Sequence, residues 1–272
     1  MSERDAEHLS TVDEDVIGSL GPISIQHPPD TFGLTPASLL GMKAVAIYSD
    51  RLAGIGLDWG SGTGCLAITA ALVKGVEKVV GLEVSEANVQ IARRNAEANG
   101  VADKVSVLHS DSYTPLSEEG KTELARLRGQ VDFIVANPPA MPGGDGFGFR
   151  RAVLTGALDF LKPGGFVLLN ISIQYSDARI RGLCNDVPEY TYGGLLASTD
   201  WVPFDMNRSD LGRQVVEYAE EEERGGLEYH FRDPTREDEV IINARDALAR
   251  YWETGLSPLS KWQNHLYVRK IE

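Results

Sequence analysis

Apolar and polar positions along this chain follow two periods. Short runs beginning at Ile55, Lys78, Val131 and Phe166 stay apolar with little interruption, and Val105-Ser-Val-Leu-His109 is a more mixed fifth. Runs of this kind describe strands covered on both faces, as in a parallel sheet. Between them, apolar residues recur every three or four positions in residues 66–74, 86–99 and 151–161, and 116–130 reads as a charged helix or loop. The punctuation agrees with that division. Thr35 followed by Pro36 reads as an N-cap and first helical position, Gly75 and Gly100 stand as helix stops, and Lys162-Pro-Gly-Gly165 is a turn. Strand and helix in alternation predict an α/β fold with helices on both faces of a sheet.

The pattern weakens at the start and late in the chain. Residues 1–22 are polar and acidic, which predicts a tail that frays or forms a short surface helix. Pro22, Pro28 and Pro29 keep the following stretch extended. Past Gln174, Leu195–Val202 reads as a sixth strand and His265–Arg269 as a seventh. The segment between them, 203–262, is too long for an ordinary connection and is expected to be an insertion into a main domain of 23–202 plus 263–272. It carries an acidic run at 217–224 and an amphipathic pattern at 237–252, which fits either a substrate lid or a solvated helix on the sheet's edge.

Composition then narrows the classes of partner. A hydrophobic content of 42% supports one well-buried domain. The net charge of −14 disfavours the phosphate attraction that nucleic-acid binders rely on, and only Arg150 and Arg151 stand where a basic groove would be needed. Cys65 and Cys184 lie far apart, as in a reducing compartment, and no leader or membrane-length run is visible. A cytoplasmic protein without a metal or a membrane partner is expected.

Candidate chemistry gathers where the strands end. In Asp58-Trp-Gly60-Ser61-Gly62-Thr-Gly64 the strand breaks into alternating glycines, and a loop without Cβ atoms lets a ligand approach the backbone. A dinucleotide fingerprint would need glycine at position 65, where Cys65 stands, so an NAD site is poorly provided for. Glu83 ends the next strand about twenty residues on, where a ribose-binding acid is expected. Asp111, beside Ser112, follows the third strand and is either an acceptor for an adenine amine or a turn former. Asn137-Pro138-Pro139-Ala140 should face the same crevice, with two prolines stiffening the turn and leaving carbonyls free as acceptors.

Taken together, the glycine loop, Glu83, Asp111 and Asn-Pro-Pro resemble the class I S-adenosylmethionine-dependent methyltransferases over about residues 30–175. The resemblance implies a Rossmann-like, seven-stranded, mostly parallel sheet with an antiparallel edge strand. It also implies a cofactor, S-adenosyl-L-methionine, with Asp58, Gly60, Ser61, Gly62 and Gly64 toward its methionine end. Glu83 would then lie at the ribose, Asp111 and Ser112 at the adenine, and Asn137 beside the methyl group. The Asn-Pro-Pro turn is similar to that of the branch that methylates planar nitrogens: adenine N6, guanine N2 in RNA, or the glutamine amide of release factors.

That branch usually carries an aromatic residue after the prolines, and here Ala140 takes its place. Either Phe147 or Phe149, from the glycine-rich loop that follows, replaces it by reaching back over the substrate with Pro139 and Ala140, or that stretch is a flexible surface loop. Phe32 either overhangs the site or is core. Asn137 and the Pro138 carbonyl are the candidate catalytic acceptors, aiming a nitrogen lone pair at the methyl carbon. The expected activity is N-methylation of a protein side chain or a small molecule. The alternatives are an RNA or DNA base methyltransferase of the same branch and, from another class, a noncatalytic nucleotide binder or an NAD oxidoreductase.

Overall fold

A computed structural model of the chain describes residues 8–27, 34–140 and 144–271. It opens with β1 (His8–Val12), α1 (Glu14–Ile17) and β2 (Ile23–His27). The central run is α2 (Pro36–Ile47), β3 (Gly54–Trp59), α3 (Cys65–Ala71), β4 (Val76–Glu83), α4 (Glu86–Ala98), β5 (Val105–Asp111), β6 (Thr114–Pro115) and α5 (Glu118–Ala125). It continues through β7 (Val131–Ala136), α6 (Gly148–Ala157), β8 (Leu161–Ser172), α7 (Asp177–Asp186) and β9 (Tyr190–Ser198). The last third holds β10 (Val202–Pro203), α8 (Ser209–Glu223), β11 (Phe231–Arg232), β12 (Ile241–Ile242), α9 (Ala244–Thr254), β13 (Leu259–Ser260) and β14 (Trp262–Arg269). Among the described residues no helix is long and apolar enough to cross a membrane.

The main sheet has eight strands in the order β6-β5-β4-β3-β7-β8-β14-β9. Strands β5, β4, β3, β7 and β8 are parallel, and β14 runs antiparallel to both of its neighbours. The α/β sheet is therefore mostly parallel, as expected, with β14 one position in from the edge strand β9 and the two-residue β6 as an eighth strand. Consecutive side chains leave opposite faces: Ile134 joins the core under α6 and α7, while Phe133 and Val135 join the core under α2, α3 and α4. Helices thus cover both faces because both faces are apolar.

Residues 8–22 are not a tail. Strands β1 and β2 pair antiparallel, and Val12, Ile17, Ile23 and Ile25 are buried in the α2/α3/α4 core. Side-chain amides on α4 complete β2: Asn95 Oδ1 accepts from Gln26 N at 2.9 Å, and Asn99 Oδ1 accepts from Ser24 N at 3.0 Å. Alternation in Ile23-Ser-Ile25 carried this strand, and the acidic residues around it concealed the partner. The remainder of the expected tail, residues 1–7, lies outside the described residues.

Strand β10, which begins at Val202, just before the expected insertion, forms with β13, β11 and β12 a small antiparallel sheet beside the helices α8 and α9. Phe204, Val215, Phe231 and Leu248 are buried and continue the α6/α7 core, so this segment is packed against the sheet. The helix expected over 237–252 begins later, at Ala244, because Asn243 caps it by accepting from Asp246 N at 2.8 Å. Glu222 of α8, only 8% exposed, binds the same helix start. Its carboxylate accepts from the amides of Tyr229 (2.9 Å), Ala244 (3.0 Å) and Arg245 (3.0 Å).

Candidate active site

The carboxyl ends of β3, β4, β5 and β7 lie side by side, with Trp59 beside Leu82 and Ala136, and Glu83 beside His109. Gly60 and Gly62 have φ of 68° and 55°, a region that side chains with a Cβ rarely adopt. A Cβ added at either would meet nothing within 4 Å. Both glycines, with Ser61 and Thr63, line a cavity of about 240 Å³ that also takes in His27, Asn88 and Asn137. The open space beside a bare left-handed backbone is the cradle that a ligand of the expected kind needs. Gly64 differs: a Cβ there would stand 3.1 Å from that of Ala92, so its bareness serves helix packing.

Asp58 shapes this loop from beneath. Its Oδ2 accepts from the Ser61 hydroxyl at 2.9 Å and from Ala67 N at 3.0 Å, while the buried Oδ1 has no partner. Burial, with a smaller contribution from Glu83, pushes the Asp58 carboxyl up to about 7. Glu83 grips the loop from the side: Oε2 accepts from Gly62 N at 2.7 Å, and Oε1 from Ser85 N at 2.8 Å. Asn88 Nδ2 also donates to Oε1 at 3.4 Å, so of the roughly four lone-pair positions of the carboxylate one remains, on Oε2, for a ligand hydroxyl. Asp111 is exposed at the end of β5, and neither it nor Ser112 lines this cavity. Ser112, at φ 52°, is held there by the Trp59 indole, which donates to its hydroxyl at 2.9 Å. His27, on the opposite wall, is held down to about 4 by burial and the nearby His8, so it is neutral near pH 7.

A second cavity, of about 270 Å³, begins where the first ends. It is lined by Asn137 through Ala140 and by Arg150, Asn170, Gln174, Tyr175, Gln214 and Trp262. Asn137, Thr35 and Ser38 belong to both walls. The proline carbonyls are not free, as the turn by itself implied: Arg150 donates to Pro138 O and to Pro139 O, each at 3.3 Å, and to Gly146 O at 3.1 Å. Arg150 is 4% exposed, with its guanidinium over the Tyr175 ring. Arg151 is bound to Asp145 and Asp186. Of the two arginines that a basic groove would need, Arg150 is spent inside the fold and Arg151 is paired with two carboxylates at the surface.

The aromatic candidates fall elsewhere too. Phe147 is 2% exposed against Tyr175, with ring centroids 4.8 Å apart, and Phe149 packs against Trp59 at 6.0 Å. Neither lines any of these cavities: the start of α6 buries Phe147 in the core and lays the half-buried Phe149 against it. Tyr175 and Trp262 face the cavity that holds Ala140. Phe32 lies outside the described residues. A third hollow, of about 500 Å³, continues outward from Pro139 and Ala140 along α8, past Gln214, Glu217 and Glu221. Segment 203–262 therefore supplies a wall of the site.

Sequence reasoning missed Asn170, Gln174, Tyr175, Gln214 and Trp262. Asn170 alone carried a signal, as a polar residue inside the apolar run 166–172.

A family model described as methyltransferase small domain matches residues 42–186, just over half of the chain, from α2 to the end of α7. The release factor glutamine methyltransferase of Cereibacter sphaeroides is 30% identical over an alignment 165 residues long that covers 53% of this chain and 52% of that protein. A 4-amino-L-phenylalanine/4-methylamino-L-phenylalanine methyltransferase of Streptomyces pristinaespiralis is 26% identical over an alignment 193 residues long that covers 58% of this chain and 62% of that one. The chain spans about half the length of the curated relatives it matches first. Among solved structures, a methyltransferase from Pyrococcus furiosus covers 95% of each chain at 17% identity with a TM-score of 0.53, a likeness of fold.

Proposed function

This chain belongs to the methyltransferase small domain family, and from that premise we propose that it moves a methyl group from S-adenosyl-L-methionine to a nitrogen of a protein side chain or a small molecule. The observation that supports the reading best is the position of Asn137 in the walls of both cavities. A donor beside the glycine loop and an acceptor beside the proline turn would meet at that one side chain.

The residues divide accordingly. Gly60, Ser61 and Gly62 take the methionine end, Gly64 serves the packing of the helix behind them, Glu83 takes a ribose hydroxyl, and Asp111 with Ser112 the adenine rim. Asp58 acts through the loop it holds. S-adenosyl-L-methionine, when bound, supplies a sulfonium methyl already open to in-line displacement. The protein's share is then placement, worth about 7–11 kcal/mol. Asn137 Oδ1 and the Pro138 carbonyl each retain one lone pair beyond those used by Asn170 and Arg150. Those lone pairs accept from the target N–H, which turns the nitrogen lone pair toward the first cavity and favours the positive charge that develops on nitrogen. Pro139 and Ala140 floor the acceptor site, and Tyr175 and Trp262 supply its aromatic surface.

Relatives named for a release-factor glutamine and for 4-amino-L-phenylalanine support a nitrogen on a flat group as the target. The commitment of Arg150 and Arg151 to partners within the chain speaks against a nucleic-acid substrate. A cytoplasmic setting suits two cysteines that no disulfide joins.

Calorimetry should show binding of S-adenosyl-L-methionine and S-adenosylhomocysteine but not NAD, and no binding of nonspecific RNA at physiological salt. Labelled methyl transfer to a release factor or to 4-amino-L-phenylalanine tests the acceptor. Asn137→Ala should lower kcat about 10²–10³-fold with donor affinity unchanged. An equal loss of donor binding would make Asn137 a structural residue and end this reading.

A further inference from the structure

Asn137 is itself held by a buried line of amides. Asn170 on β8 donates through Nδ2 to the Ala37 carbonyl at 2.7 Å and to Asn137 Oδ1 at 3.1 Å. Its own Oδ1 accepts from Asn264 Nδ2 on β14 at 2.7 Å. Asn170 and Asn264 are both buried and stand directly opposite each other in the antiparallel register of β8 and β14.

The two ends of a side-chain amide are nearly the same size, so its direction is decided by what surrounds it. Here a backbone group decides. The Ala37 carbonyl can only accept, so the nitrogen end of Asn170 must face it, and the oxygen end is left for Asn264. Asn137, meeting that same nitrogen, must present oxygen to it and turn its own NH₂ away. Among the described residues no acceptor takes that NH₂ group. The direction of Asn137 is thus set by groups on α2, β8 and β14, of which Ala37 and Asn170 share its cavity and Asn264 lies behind them.

We infer that Asn170, backed by Asn264 and the Ala37 carbonyl, is a positioning residue that determines which end of the Asn137 amide meets the acceptor substrate. The inference rests on the methyl-transfer reading, which places Asn137 at the target nitrogen. It adds that the catalytic turn is incomplete without β14, which lies beyond the region matched by the family model.

Asn170→Asp is the discriminating variant. It keeps size and shape, but an ionised carboxylate cannot donate, so Asn137 must flip and offer NH₂ to residue 170. At pH 8, kcat for transfer from S-adenosyl-L-methionine to whichever of release factor or 4-amino-L-phenylalanine the wild type methylates should fall about 100-fold. The donor dissociation constant should stay within twofold of wild type, as roughly expected for a residue that does not touch the donor. As the pH is lowered the carboxyl group protonates and regains one O–H donor, against the two N–H donors of asparagine, so activity should recover in part, a pH dependence added to that of the wild type. The Asn137 side-chain NH₂ pair in ¹⁵N spectra of the donor-saturated protein should move at pH 8 and return in part at low pH.

Asn264→Leu, which does not touch Asn137, should shift the same NH₂ pair and lower kcat less, and it carries the test if Asn170→Asp does not fold. An unchanged kcat at pH 8 in Asn170→Asp overturns the inference, as does an unmoved Asn137 pair. A wild type that binds no donor defeats the methyl-transfer reading instead, and the NH₂ pair of the donor-free protein still decides whether Asn170 directs Asn137.

Discussion

Replacing Asp58 by asparagine isolates one buried ionisation. The carboxyl group is 1% exposed, accepts from Ser61 and Ala67 through one oxygen, and leaves the other without a partner. Loss of hydration on burial is the main reason that its pKa rises from 3.8 to about 7. The unfolded chain ionises this group near 3.8, so between that value and about 7 the folded chain holds the extra proton. Stability from this group is therefore fully present below the lower value and is lost as pH rises through the upper one. About three units at 1.36 kcal/mol each amount to about 4 kcal/mol, of which about 3 kcal/mol is lost between pH 5 and pH 8.

Asparagine keeps an acceptor for Ser61 and Ala67 and cannot ionise, so D58N should not show this decline. Urea unfolding of both proteins at the two pH values gives the assay. Taking the difference between the proteins cancels Glu123, Asp145, Asp210 and Asp233, whose lowered pKa values add stability as pH rises. The wild type should lose about 3 kcal/mol relative to D58N from pH 5 to pH 8. A flat difference, or one that moves in favour of the wild type, would show that Asp58 is ionised in the folded protein and refute the account of the loop.

Two further substitutions probe the loop and the inserted segment. Gly62→Ala forces a Cβ into a left-handed residue at a cost of about 1–2 kcal/mol and places a methyl group in the open cradle. Calorimetry should show donor affinity reduced far more than the melting temperature suggests, and a stable variant with wild-type affinity would mean that the donor does not approach this backbone. Glu222→Ala removes one carboxylate from three amides, two of them at the start of α9, and should cost about 2–4 kcal/mol in denaturant unfolding. Glu222→Gln, which retains one acceptor, should lose less, and equal losses would show that the negative charge matters more than the acceptor count.

What was legible in the chain by itself was everything that depends on neighbours in sequence. The apolar runs placed the five parallel strands, Thr35 was readable as the cap of the helix after it, and the glycines at 60 and 62 announced a loop built from bare backbone. Asn-Pro-Pro marked the second wall for the same reason, since proline acts on its own φ and on the residue before it. The N-terminal strand was hidden because a two-stranded edge is recognisable only beside the helix that completes it, here through Asn95 and Asn99.

The tertiary structure alone decided where polar side chains spend their hydrogen bonds. Arg150 reads as a surface cation and is instead folded under the prolines, and Phe147 reads as a ring for the substrate and is instead core. Asn137 meets Asn170 from 33 positions away, and Asn170 meets Asn264 from 94. A backbone torsion is a local property and leaves its mark in two or three residues. A buried donor, by contrast, must find an acceptor wherever the sheet brings one, and strand order is set by the packing of the whole chain.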